Sequence, residues 1–378
     1  MQVKRFDYID ALRGLAILFI VFGHIPVCCH YVGENFLSYR SFTSLVQLPI
    51  FFFVSGFVFR TKNMSITGGG EFILNKFRQL IIPASIIGGI YHILHNDDFT
   101  QIIYDKFKGG YWFTFTLFEL IIIQYSWEMF TEKIHIRNNN KIYYISSLCL
   151  ATILYIFAIP TVSSRLNNIC LIIGVPMLRY YLYFLIGNIV RNHLDAIIRW
   201  KYRNQLTAVI AIVFFILLII KQIPLKFSGI AFHINLVAVE LFSLSMIFMI
   251  FYKYRSYFSS QHCFAKAFTF LGKRTLDIYL IHYFFLPEDL SLFGNYFTTH
   301  PAMILEALFS GIITLLVVVF CLFISEALRC NPSISKYLLG TKQKTYEYKF
   351  YNRLQNYNTI PFTECLKGNH DIIRYLHP

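Results

Sequence analysis

The sequence predicts an all-α fold, a polytopic transmembrane helix bundle of about ten spans with both termini cytoplasmic. Three observations predict it. Of 378 residues, 56% are hydrophobic and only 14% charged, where soluble chains carry about 25% charged residues. The mean hydropathy is +0.53, with the apolar residues gathered in long blocks. The charges between those blocks alternate in abundance from one connection to the next.

The first block, about 10–29, follows the basic start of MQVKRFDYIDALRGLAILFIVFGH. A signal peptide starts this way too, but Asp10 and Arg13 stand at the head of the block and no small-residue cleavage site follows. An uncleaved first span is expected. Later blocks centre on about 43–60, 79–95, 111–128, 143–160, 169–190, 205–221, 229–252, 267–287 and 302–326, each near the roughly 20 residues a span requires. Residues 1–326 are thus read as one transmembrane domain and 327–378 as a polar, basic cytoplasmic tail.

Charge tests this count independently of hydropathy. With the N-terminus inside, the cytoplasmic connections collect Lys4, Arg5, Arg60, Lys62, Lys76, Arg78, Lys133, Arg137, Lys141, Arg191, Arg199, Lys201, Arg203, Lys253, Arg255 and Lys266. The opposite side holds Arg40, Lys106, Lys108, Arg165, Lys221 and Lys226, with acidic Asp97, Asp98, Glu288 and Asp289. This asymmetry fits an even number of spans. It also disposes of nucleic acid as the partner of the 34 basic residues, since they orient the chain against lipid headgroups and form no single basic face. Most of the eight cysteines that matter to the pattern, such as Cys149, Cys170 and Cys321, lie inside apolar blocks without a CxxC pair, so neither a metal nor a disulfide framework is expected. Gly68-Gly69-Gly70 lacks a following GK[ST] and reads as a turn.

Ionisable side chains inside a bilayer cost several kcal/mol unless they face a partner or a wet cavity. Arg13, His24, Glu119, Arg179, Glu240, Asp277, His282, Glu306 and Glu326 therefore draw attention. Helical rise puts His24 about 16 Å beyond Arg13 and about 7 Å from the outer end of its span. His282 falls about 7 Å, and Glu119 about 12 Å, from the outer ends of theirs. Ser55 is expected near mid-depth, and Tyr279 one turn below His282. A histidine, carboxylate and hydroxyl at one depth would suit acid/base transfer to or from a hydroxyl.

Each residue also has a plain structural reading. An intramembrane histidine can be an interhelical tie. Arg13 can snorkel while pairing with Asp10 three residues away. Arg60 and Arg78 suit positive-inside anchors, Trp112 an aromatic belt, and Glu326 the end of its helix.

YIDALRGLAILFIVFGH, in which Arg13 and His24 are separated by ten residues, resembles the signature of the membrane acyltransferase-3 family. LPIFFFVSGFVFR (48–60), FILNKFRQLIIP (72–83), YWFTFTLFE (111–119) and LGKRTLDIYLIHYF (271–284) are similar to later parts of that pattern, so the resemblance runs from about 6 to 326. No segment resembles an SGNH hydrolase domain, and the longer acidic pattern of the large O-antigen acetylases is missing after Trp112. The likeness is to shorter members, such as fucose acetylase-like and exopolysaccharide-modifying proteins.

The resemblance implies an O-acetyltransferase of the bacterial inner membrane. It would move acetyl or a similar acyl group from acyl-CoA, a donor substrate and no bound cofactor, to a carbohydrate acceptor that can be lipid-linked. His24, Arg13 and Glu119 would be catalytic; Asp10, Ser55, Arg60, Arg78, Trp112, Tyr279 and His282 would bind substrate. Two other functions compete. A transporter or flippase for a lipid-linked or nascent glycan would also line its path with charge, but no inverted repeat is visible. A glycosyltransferase could hold a metal on Asp97-Asp98, an isolated acidic pair.

Overall fold

The structure is a computed structural model that describes residues 6–28, 36–60, 66–98, 100–105, 107–159, 174–200, 205–210, 212–213, 216, 230–300 and 302–341. Among these residues it contains helices and no strand. The main helices are α1 (Asp7–Cys28), α2 (Phe36–Val58), α3 (Ile66–Leu94), α4 (Trp112–Lys133), α5 (Asn140–Ala158) and α6 (Tyr181–Asn192). They are followed by α7 (Ile230–Lys253), α8 (Cys263–Lys273), α9 (Thr275–Ile281), α10 (Ser291–Thr299), α11 (Met303–Arg329) and α12 (Pro332–Leu338).

Five of the helices, α1, α3, α5, α7 and α11, are long and apolar enough to cross a membrane. The chain is a membrane protein. The stretch of α2 whose side chains are described, Leu45–Val58, is apolar. In α4 the charged side chains Glu119, Glu128, Glu132 and Lys133, spread around the helix, dilute the apolar character. Most of the expected seventh block, 205–221, lies outside the described residues.

Helix α11 shows what solvent these helices are built for. Ile304, Leu308, Ile312, Leu315, Val319 and Phe323 are exposed along one face, while Glu306, Ser310, Thr314, Cys321 and Ser325 are buried along the other. Both stripes repeat every three to four residues, so the helix is apolar outside and polar inside, the reverse of a helix on a soluble domain. Cys149, expected among the buried apolar residues, is exposed on α5, as an apolar thiol facing lipid can be.

Small residues bring helices together where lipid offers no hydrophobic drive to do so. A Cβ on Gly272 of α8 would run into the Asp10 carbonyl of α1, and one on Gly14 into the Phe268 carbonyl of α8. Gly56 of α2 and Gly187 of α6 lie equally close to the Phe184 and Phe53 carbonyls. These two crossings, together with α1 against α2, form the most extensive packing in the bundle.

The expected single span at 267–287 is broken. Arg274, at φ −111° and ψ 10°, separates α8 from α9, and a 3-10 turn, His282–Phe285, follows. An ionic cluster around the buried Asp277 holds the break. Asp277 accepts from Ser325 Oγ at 2.6 Å and Arg329 Nε at 3.1 Å, and Arg274 pairs with Glu326. Glu326 thus has a tertiary partner at the break between α8 and α9.

The compact unit continues past the expected boundary at 326 and ends at Gly340. Two features carry it there: α11 runs on to Arg329, which is anchored on Asp277, and α12 then packs on α3. Asn331 caps α12, accepting from the Ser333 and Ile334 N–H groups. The remainder of the expected tail, from 342, lies outside the described residues.

Candidate active site

Helices α1 and α9 converge at the end of the bundle opposite Arg60, and each brings a histidine there. His282 Nε2 lies 3.2 Å from His24 Nδ1, and the two rings tilt by 34° with centroids 5.1 Å apart. His282 is fully buried, and its Nδ1 lies 2.7 Å from the Tyr279 carbonyl oxygen one turn back. His24 is partly open. Its Nε2 lies 3.3 Å from the Tyr283 hydroxyl.

The loop before α4 forms the facing wall. Lys108, Gly109 and Gly110 adopt φ values of 52°, 56° and 94°, a left-handed run that two glycines make accessible. The missing side chains also make room: a Cβ on Gly109 would strike the His92 ring, and one on Gly110 the Tyr283 phenol. The turn aims the Gly110 carbonyl at the site, where Tyr279 donates to it at 3.1 Å and Tyr283 lies at 3.3 Å. Tyr279 also accepts from the Phe113 N–H at 3.2 Å, so its phenol ties α9 to the first turn of α4.

The structure brings His24, Tyr279 and His282 together. Tyr283, Gly110 and the Gly109–His92 pair were not anticipated. The dipeptide His282-Tyr283 and the Gly109-Gly110 pair before an aromatic run were the available signals. Neither reveals its meaning until the 3-10 turn and the left-handed loop are known.

The other expected residues fall elsewhere. Glu119 lies six residues along α4 from Phe113, about 9 Å by helical rise. Its carboxylate faces Gly174, where a Cβ would sit 3.1 Å from Oε2, and Oε2 is buried without a hydrogen bond. Lys108 is the cation acting on it. Burial of that lysine, whose Nζ donates to the Ile103 carbonyl at 2.8 Å, pushes its ammonium below the ordinary range, and Glu119 and Asp105 oppose the shift. Of the three groups expected in one layer, His24 and His282 are in contact and Glu119 stands apart from them.

Trp112 is half-buried and stacks on Tyr180 at 5.9 Å. Ser55 is half-buried on α2 and has no hydrogen bond to either histidine. Asp10 is buried and lies 3.8 Å from Arg13, whose side chain remains 26% exposed. Arg60 and Arg78 are exposed. Burial and the neighbouring Arg60 guanidinium hold Arg191 below the ordinary arginine range, so two cations meet at the end of α2.

In the acidic loop pair, Asp98 accepts from the Thr100 hydroxyl at 2.6 Å and the Thr100 N–H at 2.9 Å, which keep its carboxyl below the usual range. Asp97 lies 3.5 Å from His92 Nδ1. Both carboxylates are engaged in shaping the loop.

The bundle is therefore a membrane protein with a paired-histidine site at one end and exposed arginines at the other. The acyltransferase 3 family, described as an acyltransferase domain, matches residues 6–325, and the chain belongs to it. No curated protein and no solved structure matches the chain.

Proposed function

We propose that the protein is an O-acyltransferase that moves acetyl, or a similar acyl group, from acyl-CoA to a hydroxyl of a sugar in a surface polysaccharide or its lipid-linked precursor. One observation carries this reading. His24 Nε2 meets a hydroxyl, that of Tyr283, at 3.3 Å, within reach for a general base. A sugar hydroxyl taking that place would lose its proton to His24 as its oxygen attacks the thioester carbonyl. The carbon–sulfur bond then breaks, and the proton passes from the imidazolium to the departing CoA thiolate.

The donor side rests on charge. Coenzyme A is polyanionic, and Arg60, Arg191 and Arg78 present guanidiniums suited to its phosphates. Placing that end in the cytoplasm of a bacterial inner membrane agrees with the basic connections of the sequence. Arg13 then lies between the phosphates and His24, paired with Asp10 and able to hold the pantetheine arm. Glu119, Ser55 and Trp112 are assigned to the acceptor or acyl path.

The test uses the full chain, purified in detergent, with acetyl-CoA labelled in the acetyl group and a panel of oligosaccharide acceptors. Label should move to the acceptor, and His24→Ala should lower kcat by about 10³-fold or more. A His24→Ala strain should also lose the acyl groups of its surface glycans. Label that stays on CoA, or unchanged glycan acylation, would overturn the reading.

A further inference from the structure

Resting on the acyltransferase reading, we propose that His282 is a positioning residue that fixes which nitrogen of His24 carries the proton. The argument is a count of donors and acceptors along a chain of four groups.

It starts at the Tyr279 carbonyl, which can only accept. His282 Nδ1, at 2.7 Å from it, must therefore carry a hydrogen and donate. A second proton, on Nε2, would place a cation on a fully buried ring to which no carboxylate is hydrogen-bonded, an uncompensated burial of charge. His282 Nε2 is then a lone pair and accepts. Across the 3.2 Å contact, His24 Nδ1 must supply the hydrogen. Neutral His24 has one N–H, so its Nε2 is the lone pair, and that nitrogen faces the Tyr283 hydroxyl.

Each link depends on the previous one, and the first is a backbone atom. Because the carbonyl of residue 279 belongs to α9, the same helix that ends in His282, the tautomer of His24 is set by secondary structure. The arrangement does for His24 what a buried carboxylate does for the histidine of a serine hydrolase, with an uncharged imidazole as the orienting group. An uncharged orienter suits a site inside a bilayer, where a carboxylate would need its own counter-charge.

Nitrogen-15 NMR of histidine-labelled full chain in detergent micelles, with His24 assigned by its loss in His24→Gln, reads the tautomer directly. Nδ1 of His24 is expected to be protonated and Nε2 bare. His282→Leu keeps the volume and removes the acceptor; the His24 proton should then shift toward Nε2. In parallel kcat should fall about 10²–10⁴-fold, while KM for acetyl-CoA stays within about two-fold. His282→Gln restores an acceptor oxygen and should recover at least about ten-fold of that loss. A His24 protonated on Nε2 in the unaltered protein, an unmoved tautomer in His282→Leu, or more than half of kcat retained there would overturn the proposal. If His282→Leu does not fold, the spectrum of the unaltered protein decides alone. Because that spectrum needs no substrate, its result stands apart from failure of the acyltransferase reading itself.

Discussion

At the scale of single residues, the site turns on one phenol. Tyr283 has one proton and two acceptors in reach, His24 Nε2 and the Gly110 carbonyl, each at 3.3 Å. An acceptor hydroxyl that donates to His24 must displace it, and the Gly110 carbonyl gives the phenolic proton somewhere to go. Tyr283→Phe removes the competitor, worth about 1 kcal/mol for a neutral hydrogen bond. Half-saturation by acceptor should therefore fall up to about five-fold with kcat within about three-fold, measured by initial rates against acceptor concentration. A rise in acceptor KM would show that the phenol binds the sugar instead. His24, His282 and Tyr279 were legible because ionisable and hydroxyl groups stand out in apolar helices and helical rise gives their depth. Tyr283 was not, because its role depends on a turn tighter than α-helix, and Glu119 was placed with the histidines because depth says nothing of azimuth. The Gly110 carbonyl is a backbone atom aimed by left-handed dihedrals, which no residue type announces beyond the two glycines.

At the scale of elements, the site is held by crossings that leave no room for side chains. His24 reaches His282 because α1 lies against α8 and α9 at the distance two glycines permit, with Gly272 facing the Asp10 carbonyl and Gly14 the Phe268 carbonyl. Because the obstacle is backbone on a packed helix, Gly272→Ala must push α8 away, and overpacking of this kind costs about 1–3 kcal/mol or more. Thermal unfolding in detergent should show a lowered midpoint, with a further loss of acyl transfer at temperatures where the variant is still folded. The break at Arg274 has its own anchor. Asp277 is almost fully buried and takes hydrogen bonds from Ser325 and Arg329, so Asp277→Ala strands a guanidinium in the bundle and should cost about 2–4 kcal/mol. The same denaturation assay should find Arg329→Met in combination with Asp277→Ala more stable than Asp277→Ala alone. Hydropathy located these helices well but could not show the break, because Lys273-Arg274 reads equally as the charged start of a span. It also could not show α12 returning to α3, since a short amphipathic helix beyond the last span looks like the polar tail that follows.

At the scale of the whole molecule, the proposed function requires the two ends of the bundle to face different compartments, because its donor, a CoA thioester, would be cytoplasmic while its acceptor, a surface glycan, would be finished outside. The sequence places Arg60, Arg78 and Arg191 inside, and the fold brings Arg191 beside Arg60 and the α11 terminus with Arg329 beside Asp277 on α9. Native cysteines can read this orientation without adding tags. Cys263 begins α8 and Cys330 follows α11, and both are exposed. A variant keeping Cys330 as its one cysteine should react with a membrane-impermeant maleimide only after cells are permeabilised, and one keeping Cys263 should behave the same way. Cys149 faces outward near the middle of α5, so a variant keeping it alone should react slowly under either condition, since a charged, membrane-impermeant maleimide does not enter hydrocarbon. Labelling of Cys330 or Cys263 in intact cells would reverse the orientation, move the exposed arginines to the wrong side for coenzyme A, and leave His24 on the side of the donor.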